Sequence, residues 1–195
     1  SNWAGPISYS TCPGSAPFLE NFDDSTVAVP SAATAPCWTQ DSNDSFDWSM
    51  NAGTTPSSPT GPSDDMTGGG NYMYIESSAP RVPGDSAILH SPDIDISGLS
   101  SPELRLYTHM FGASIGTLNI YVSYDGGTTY SNVLTITGDQ GDQWDERLIP
   151  LSGSTAMFRF TASVGDDGSG VQYWGDISID NFEIRQAATC PQPSN

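Results

Sequence analysis

The stretch that decides the fold is Cys37–Met50, CWTQDSNDSFDWSM, followed after a Ser/Thr/Pro/Gly run by Thr60–Glu76, TGPSDDMTGGGNYMYIE. Trp38 and Trp48 frame an acidic turn. A Thr-Gly-Pro turn then leads to Asp65, Thr67 and three glycines, and these open into an apolar-aromatic strand. Large aromatics, aspartates and turn residues in this order mark a particular kind of module and point to a metal. They do not name a ligand.

The same punctuation runs through the rest of the chain. Twenty glycines and fifteen prolines break 195 residues into short segments. No window of about 12 residues carries the i, i+3, i+4, i+7 apolar pattern of a helix. Short β-type runs recur instead, at Phe18–Phe22, Tyr72–Glu76, Ala87–His90, Glu103–Met110, Thr117–Tyr124, Val133–Thr137, Asp145–Pro150, Ala156–Ser163 and Gly175–Arg185. Strands at such intervals with turn signals between them predict an all-β, antiparallel sandwich. Tyr124-Asp125-Gly126-Gly127 reads as a hairpin turn, because Asp-Gly and Gly-Gly accept positive φ. Residues 51–63 read as loop. Residues 1–16 and 187–195 read as linkers, the latter to a following domain, on either side of one domain at 17–186.

Charge narrows the partners. Five arginines, no lysine and 23 acidic residues leave a net charge of −18. A phosphate backbone demands a basic face, so nucleic acid and anionic membranes are excluded as partners. The acidity favours solubility, salt tolerance and divalent cations. No apolar run approaches the ~20 residues of a membrane span, so no membrane insertion is expected. No signal peptide is visible, which reads as a mature or excised chain. Three cysteines and two histidines, without a Cys-x-x-Cys, do not make a zinc site. The lysine-free, Ser/Thr/Gly/Asp-rich composition fits a secreted protein, whose surroundings allow a disulfide.

Alternation assigns faces to the longer strands. Leu118, Ile120 and Val122 share one face, with Asn119, Tyr121 and Ser123 on the other. Leu104, Leu106, Thr108 and Met110 alternate with Arg105, Tyr107 and His109. Phe158, Phe160 and Ala162 alternate with Met157, Arg159, Thr161 and Ser163. If these strands are neighbours, their second faces form one platform carrying Arg105, Tyr107, His109, Asn119, Tyr121, Arg159 and Thr161, suited to an acidic sugar or to a sugar ring stacking on tyrosine. Without a ligand, the same face is an ordinary solvent face laced with cross-strand pairs. Tyr173-Trp174, after a glycine-rich acidic loop, is a further candidate stacking surface, or else a lid over the sandwich edge. No Gly-x-Ser-x-Gly, His-Glu-x-x-His or phosphate loop is present. The many acids lie in turns, where they stay ionised, so they do not read as general acids.

In order along the chain, several pieces resemble the MAM domain, the extracellular module of meprin, A5 antigen and receptor phosphatase mu. Glu20-Asn21-Phe22-Asp23 is similar to its opening strand. Cys37-Trp38-Thr39-Gln40 and Asp44-Ser45-Phe46-Asp47-Trp48 resemble its Cys-x-x-Gln and Asp-Asp-Phe-x-Trp signatures. Gly61-Pro62, Asp65-Met66-Thr67, Tyr72-Met73, Leu104–Gly112, Gly116-Thr117-Leu118, Trp144 and Gly175–Asn181 follow in the family's order. The resemblance implies a jelly-roll sandwich in which Trp38, Trp48 and Trp144 are structural. It also implies a structural calcium ion, and the candidate ligands are Asp23, Asp44, Asp47, Asp65 and Asp180. Calcium takes six to eight oxygens, and carboxylates gathered without lysine repel one another unless a cation fills the gap. The alternative is that these aspartates are turn-formers. The cysteine pattern departs from the vertebrate members and resembles a bacterial secreted type. A bond between Cys12 and Cys37 is expected, with Cys12–Cys190 as its rival. The implied function is that of a non-catalytic recognition module of a secreted or cell-surface multidomain protein, binding a polysaccharide. The alternatives are a protein–protein adhesion module, homophilic or with another extracellular protein, and a structural spacer.

Overall fold

The computed structural model describes residues 12, 14–23 and 35–188. Cys190 and most of both expected linkers lie outside them. Twelve strands are present among the described residues: β1 Phe18–Glu20, β2 Thr39–Gln40, β3 Ser49–Asn51, β4 Tyr72–Ile75, β5 Ser86–His90, β6 Ile94–Asp95, β7 Pro102–Met110, β8 Thr117–Ser123, β9 Ser131–Thr137, β10 Gly141–Pro150, β11 Thr155–Ser163 and β12 Ile177–Gln186. Every strand expected from the sequence is there. The additions are the short pieces β2, β3 and β6.

The strands form a two-sheet antiparallel sandwich of the jelly-roll class. One sheet runs β10-β7-β12-β4-β3, with β1 also paired to β12. The other runs β2-β5-β11-β8-β9, with β6 also paired to β11. The first and last strands meet antiparallel, Phe18 opposite Ile184 and Glu20 opposite Phe182. Alternation then does its work. Leu104, Leu106, Leu118, Ile120, Phe158, Phe160, Ile177 and Ile179 face inward and are fully buried. Burying apolar area at ~25 cal/mol per Å² is the main force holding the two sheets together.

Phe182 lies at the centre of the aromatic core. Its ring centroid is 5.1 Å from Trp38, 5.3 Å from Phe158, 6.0 Å from Phe18 and 6.1 Å from Phe160. Trp38 and Trp48 are core residues, as the resemblance implied. The Trp48 indole N–H donates to the Ala87 carbonyl at 3.2 Å, which ties the start of β3 to the opposite sheet. Cys12 is bonded to Cys37, so the rival pairing with Cys190 is excluded.

Two turns depend on glycine. Gly126 and Gly127 sit at φ 66° and 84° in the β8–β9 turn, as expected there. At Gly116 the chain passes so close to β11 that a Cβ would fall 1.9 Å from the Ser163 carbonyl oxygen. No helix among the described residues is long and apolar enough to cross a membrane.

Candidate functional site

The expected single platform is divided between the two sides of the sandwich. β7 lies between β10 and β12, whereas β8 and β11 are neighbours in the other sheet. Arg105, Tyr107 and His109 therefore belong to one outer surface, and Tyr121 and Arg159 to the opposite one. Alternation fixes which face a side chain takes within its strand, not which strands lie side by side.

On the first sheet the candidates are already engaged. The Arg105 guanidinium pairs with Glu183 at 2.8 Å and reaches Glu146 at 3.9 Å. The Tyr107 hydroxyl donates to Glu146 at 3.2 Å. His109 is only 2% exposed and lies edge-on to Trp144 and Phe111, with Nε2 3.1 Å from Asp142. Burial holds its pKa below the ordinary histidine value, against the pull of Asp142. It is a packing residue and offers no surface to a ligand. The Trp144 indole donates to the Asp64 carbonyl at 3.1 Å, and its ring meets Tyr72 edge-on, which pins the loop after β3 over this face.

The second sheet carries a different arrangement. Thr39, His90, Arg159, Tyr121 and Asn132 lie opposite one another in register, one from each of β2, β5, β11, β8 and β9. In the middle of this row the Arg159 guanidinium carbon stands 4.4 Å from the Tyr121 ring centroid and 4.5 Å from that of Tyr130. Tyr130 reaches it from the β8–β9 turn. Its hydroxyl is 3.2 Å from His90 Nδ1, and His90 Nε2 is 3.3 Å from Asp41. Burial raises the Tyr130 pKa, Arg159 opposes the rise, and Asp125, Asp93 and Asp41 add to it. The amide of Asn43 and the His90 ring hold the Asp41 carboxyl below the usual range. Beside the row, Asn119 Oδ1 accepts from Thr135 at 2.7 Å and from Asn132 at 3.3 Å. Tyr130, His90 and Asp41 were not among the expected ligand residues. Tyr130 lies in a turn, outside any alternating run. The sequence signal that was available for His90 was its place at the end of an alternating strand.

Tyr173 is 41% exposed and meets Trp174 edge-on at 4.7 Å. The Trp174 ring is half-buried, with its indole N–H donating to the Ser58 carbonyl at 3.0 Å. It both packs on the loop and shows a surface.

The five expected metal ligands fall into two groups. The charges acting on Asp180 are those of Asp65 and Asp23, while those acting on Asp44 are Asp47 and Asp41. Asp44 accepts the amide of Ile88 in the second sheet, and Asp47 is exposed. These two are turn residues and do not join the others. Asp180 is buried in β12, accepting from Met66 N at 2.8 Å. Asp65 accepts from Gly70 N at 2.7 Å and Thr67 N at 2.9 Å, and Asp23 from Asn71 N at 2.7 Å. Burial, then the nearby Asp65 and Asp23, push the Asp180 carboxyl up to about 7. Three hard-oxygen carboxylates with uncompensated charge fit a cation chemically. Among the described residues, however, no group of three or more acidic, His or Cys side chains is arranged to hold a metal ion. Part of any shell would have to come from backbone carbonyls.

Fold and surfaces together define an antiparallel β-sandwich module with one outer face roofed by a loop and an aromatic-arginine row on the other. The chain belongs to the MAM domain family (meprin/A5/mu), whose model matches residues 21–191. It is 34% identical over 172 residues to MAM domain-containing glycosylphosphatidylinositol anchor protein 2 of Mus musculus, covering 80% of this chain and 17% of that protein. It is 36% identical over 162 residues to the corresponding anchor protein 1 of Rattus norvegicus, covering 80% and 16%. The chain thus spans about one sixth of the length of these relatives. Both are vertebrate, so the expected bacterial type finds no support in them. In fold, the K1 cleaved adhesin domain of Lys-gingipain from Porphyromonas gingivalis W83 is similar, with a TM-score of 0.60 at 17% identity, covering 88% of this chain and 98% of that one.

Proposed function

We propose that this domain is a non-catalytic extracellular recognition module that binds carbohydrate on the outer face of the second sheet. The observation that carries this reading is the Tyr121–Arg159–Tyr130 stack. Aromatic faces and in-plane donors are set there beside the acceptors Asp41 and Asn119, the mixture that a hydroxyl-rich ring requires. Tyr173 and Trp174 supply a second aromatic surface at one end of the sandwich. An extracellular setting is supported by the disulfide and by relatives named as glycosylphosphatidylinositol anchor proteins. A glycan array tests the reading. Wild type should retain one class of glycan, and the Tyr121→Ala/Tyr130→Ala variant should lose it at least tenfold. Retention unchanged in that variant would sink the assignment to this face.

In this reading a structural calcium ion binds beside Asp180, with Asp23, Asp65 and backbone carbonyls contributing oxygens, and relieves the repulsion that adds to burial in raising Asp180. Addition of calcium to chelator-treated protein should raise the melting midpoint, and an unchanged midpoint removes the ion from the proposal.

Protein–protein adhesion is the second reading, and β9 favours it. Among the described residues the two main strand paths end at β10, β3, β2 and β9, and the short β1 and β6 also pair on one side only. β2 and β3 are only two and three residues long, and β10 carries four charges and a register shift. β9, SNVLTIT, is seven residues long and uncharged, the kind of edge that most proteins blunt. Sedimentation equilibrium tests self-association through it: a monomer at all concentrations argues against the homophilic form.

A further inference from the structure

We infer that Arg159 is a carboxylate receptor, so that the glycan bound on the second sheet is an acidic one, built from uronic acid units. This deepens the carbohydrate reading and rests on it.

Among 23 acidic residues and five arginines, every cation has an excess of possible partners. Arg105, Arg147 and Arg185 each take one or more carboxylates. Arg81 lies 4.5 Å over the Phe46 ring. Arg159 makes no ion pair among the described residues, although Asp41, Asp93 and Asp125 all lie close enough to act on Tyr130 beside it. Two of those acids are held elsewhere. Asp41 is taken by Asn43 and His90, and Asp125 by the Thr129 amide at 2.8 Å and the Ser123 hydroxyl at 2.7 Å, which pull its pKa down to about 2.

The stack dictates what Arg159 can accept. Two tyrosine rings, Tyr121 and Tyr130, lie within 4.5 Å of the guanidinium carbon and crowd its surroundings. Nε is buried and without a partner. Neither Nη group makes an ion pair or a side-chain hydrogen bond among the described residues, and unlike Nε neither is a buried atom without a partner. The planar fork of donors matches a planar pair of acceptor oxygens, which is the geometry of a carboxylate. Stacking also restrains the long side chain, so less rotamer freedom is lost when a ligand binds. A single sugar hydroxyl would engage only one arm of that fork. Asn119, Thr135 and Asn132, along the same face, are the groups to meet the neutral hydroxyls of the same chain.

The surrounding acids set the conditions of the test. A protein of net charge −18 repels a polyanion at long range, so binding is measured at 0.15 M salt, where the Debye length is about 8 Å. Calorimetric titrations compare an oligogalacturonide with the same oligosaccharide after reduction of its carboxyls, and with poly-L-glutamate. Wild type should bind the uronide at least tenfold more tightly than the reduced form. Arg159→Gln should abolish that preference. Arg159→Lys, which keeps the charge but not the fork, should lose most of it. Unaltered melting of either variant shows that it is folded, and two variants guard against the failure of one. Equal binding of uronide and reduced form by wild type overturns the inference and leaves the carbohydrate reading standing. Preference retained in Arg159→Gln also overturns it. Tighter binding of poly-L-glutamate assigns the stack to a protein carboxylate and overturns the glycan. No binding of any glycan overturns both readings.

Discussion

Asp176 should make this domain less stable as the pH rises through the neutral range. The side chain is fully buried just before β12. One carboxyl oxygen accepts from the Ser77 amide at 3.0 Å and the Ser77 hydroxyl at 3.2 Å, and the other has no partner. Burial, then the nearby Glu76, push its pKa from 3.8 up to about 7. Between those two values the folded state holds a proton that the unfolded chain has released. The contribution of Asp176 to stability is therefore greatest in acid, falls as the pH climbs above about 4 and levels off above about 7. The two values differ by the equivalent of about 4 kcal/mol, of which about 2–3 kcal/mol falls between pH 5 and 8. Asp176→Asn keeps an acceptor for Ser77 and cannot ionise. For a domain of this size, 1 kcal/mol moves the melting midpoint by about 2–4 °C, so the variant should gain roughly 5–10 °C on wild type between pH 5 and pH 8. Calorimetric melts of both proteins across that range supply the comparison, and the titration of Asp180, present in both, cancels in the difference. Parallel curves for the two proteins would refute the reasoning.

Other consequences follow from the core and the crosslink. Phe182→Ala removes the ring that four other aromatics surround and should cost about 3–5 kcal/mol in denaturant unfolding; a loss under about 1 kcal/mol would mean that the cluster is not tightly packed. Cys12→Ser with Cys37→Ser opens a loop of 25 residues, and the chain-entropy model puts the loss at about 3–4 kcal/mol, read from the urea midpoint. Gly116→Ala drives a methyl into the Ser163 carbonyl, where only backbone movement relieves it, so a cost of at least about 1–3 kcal/mol is expected in the same assay.

The strands were legible because each long one carries its own period. Leu118, Ile120 and Val122 had to share a face wherever the strand went, and all three are buried. Two- and three-residue pieces such as Thr39–Gln40 and Ile94–Asp95 are too short to show a period, and they exist because a neighbour offers them a ladder. The candidate site fared differently. Asp23 and Asp180 were expected to meet because first and last strands pair; those strands do pair, and Asp23 is one of the charges that act on Asp180. Arg105 and Arg159 look equivalent in sequence, each on the polar face of an alternating strand. Long-range strand order makes one an ion-paired surface residue and the other the centre of a tyrosine stack. Tyr130 was invisible for a simpler reason: a turn residue has no fixed face until the turn folds back onto a particular strand.

The pairing of β1 with β12 also governs how the module bears load. Phe18 lies opposite Ile184, so tension applied to the two ends of this pair would peel it open bond by bond rather than shear it. The disulfide changes the route of that tension. A pull arriving from before Cys12 passes across to Cys37, and the segment between them, β1 included, is left slack. With the bond oxidised, force enters at the start of β2 and leaves from the end of β12, that is, from opposite sheets. The strand most easily stripped is thereby taken out of the line of force, and the cystine acts as a strain relief for the sandwich.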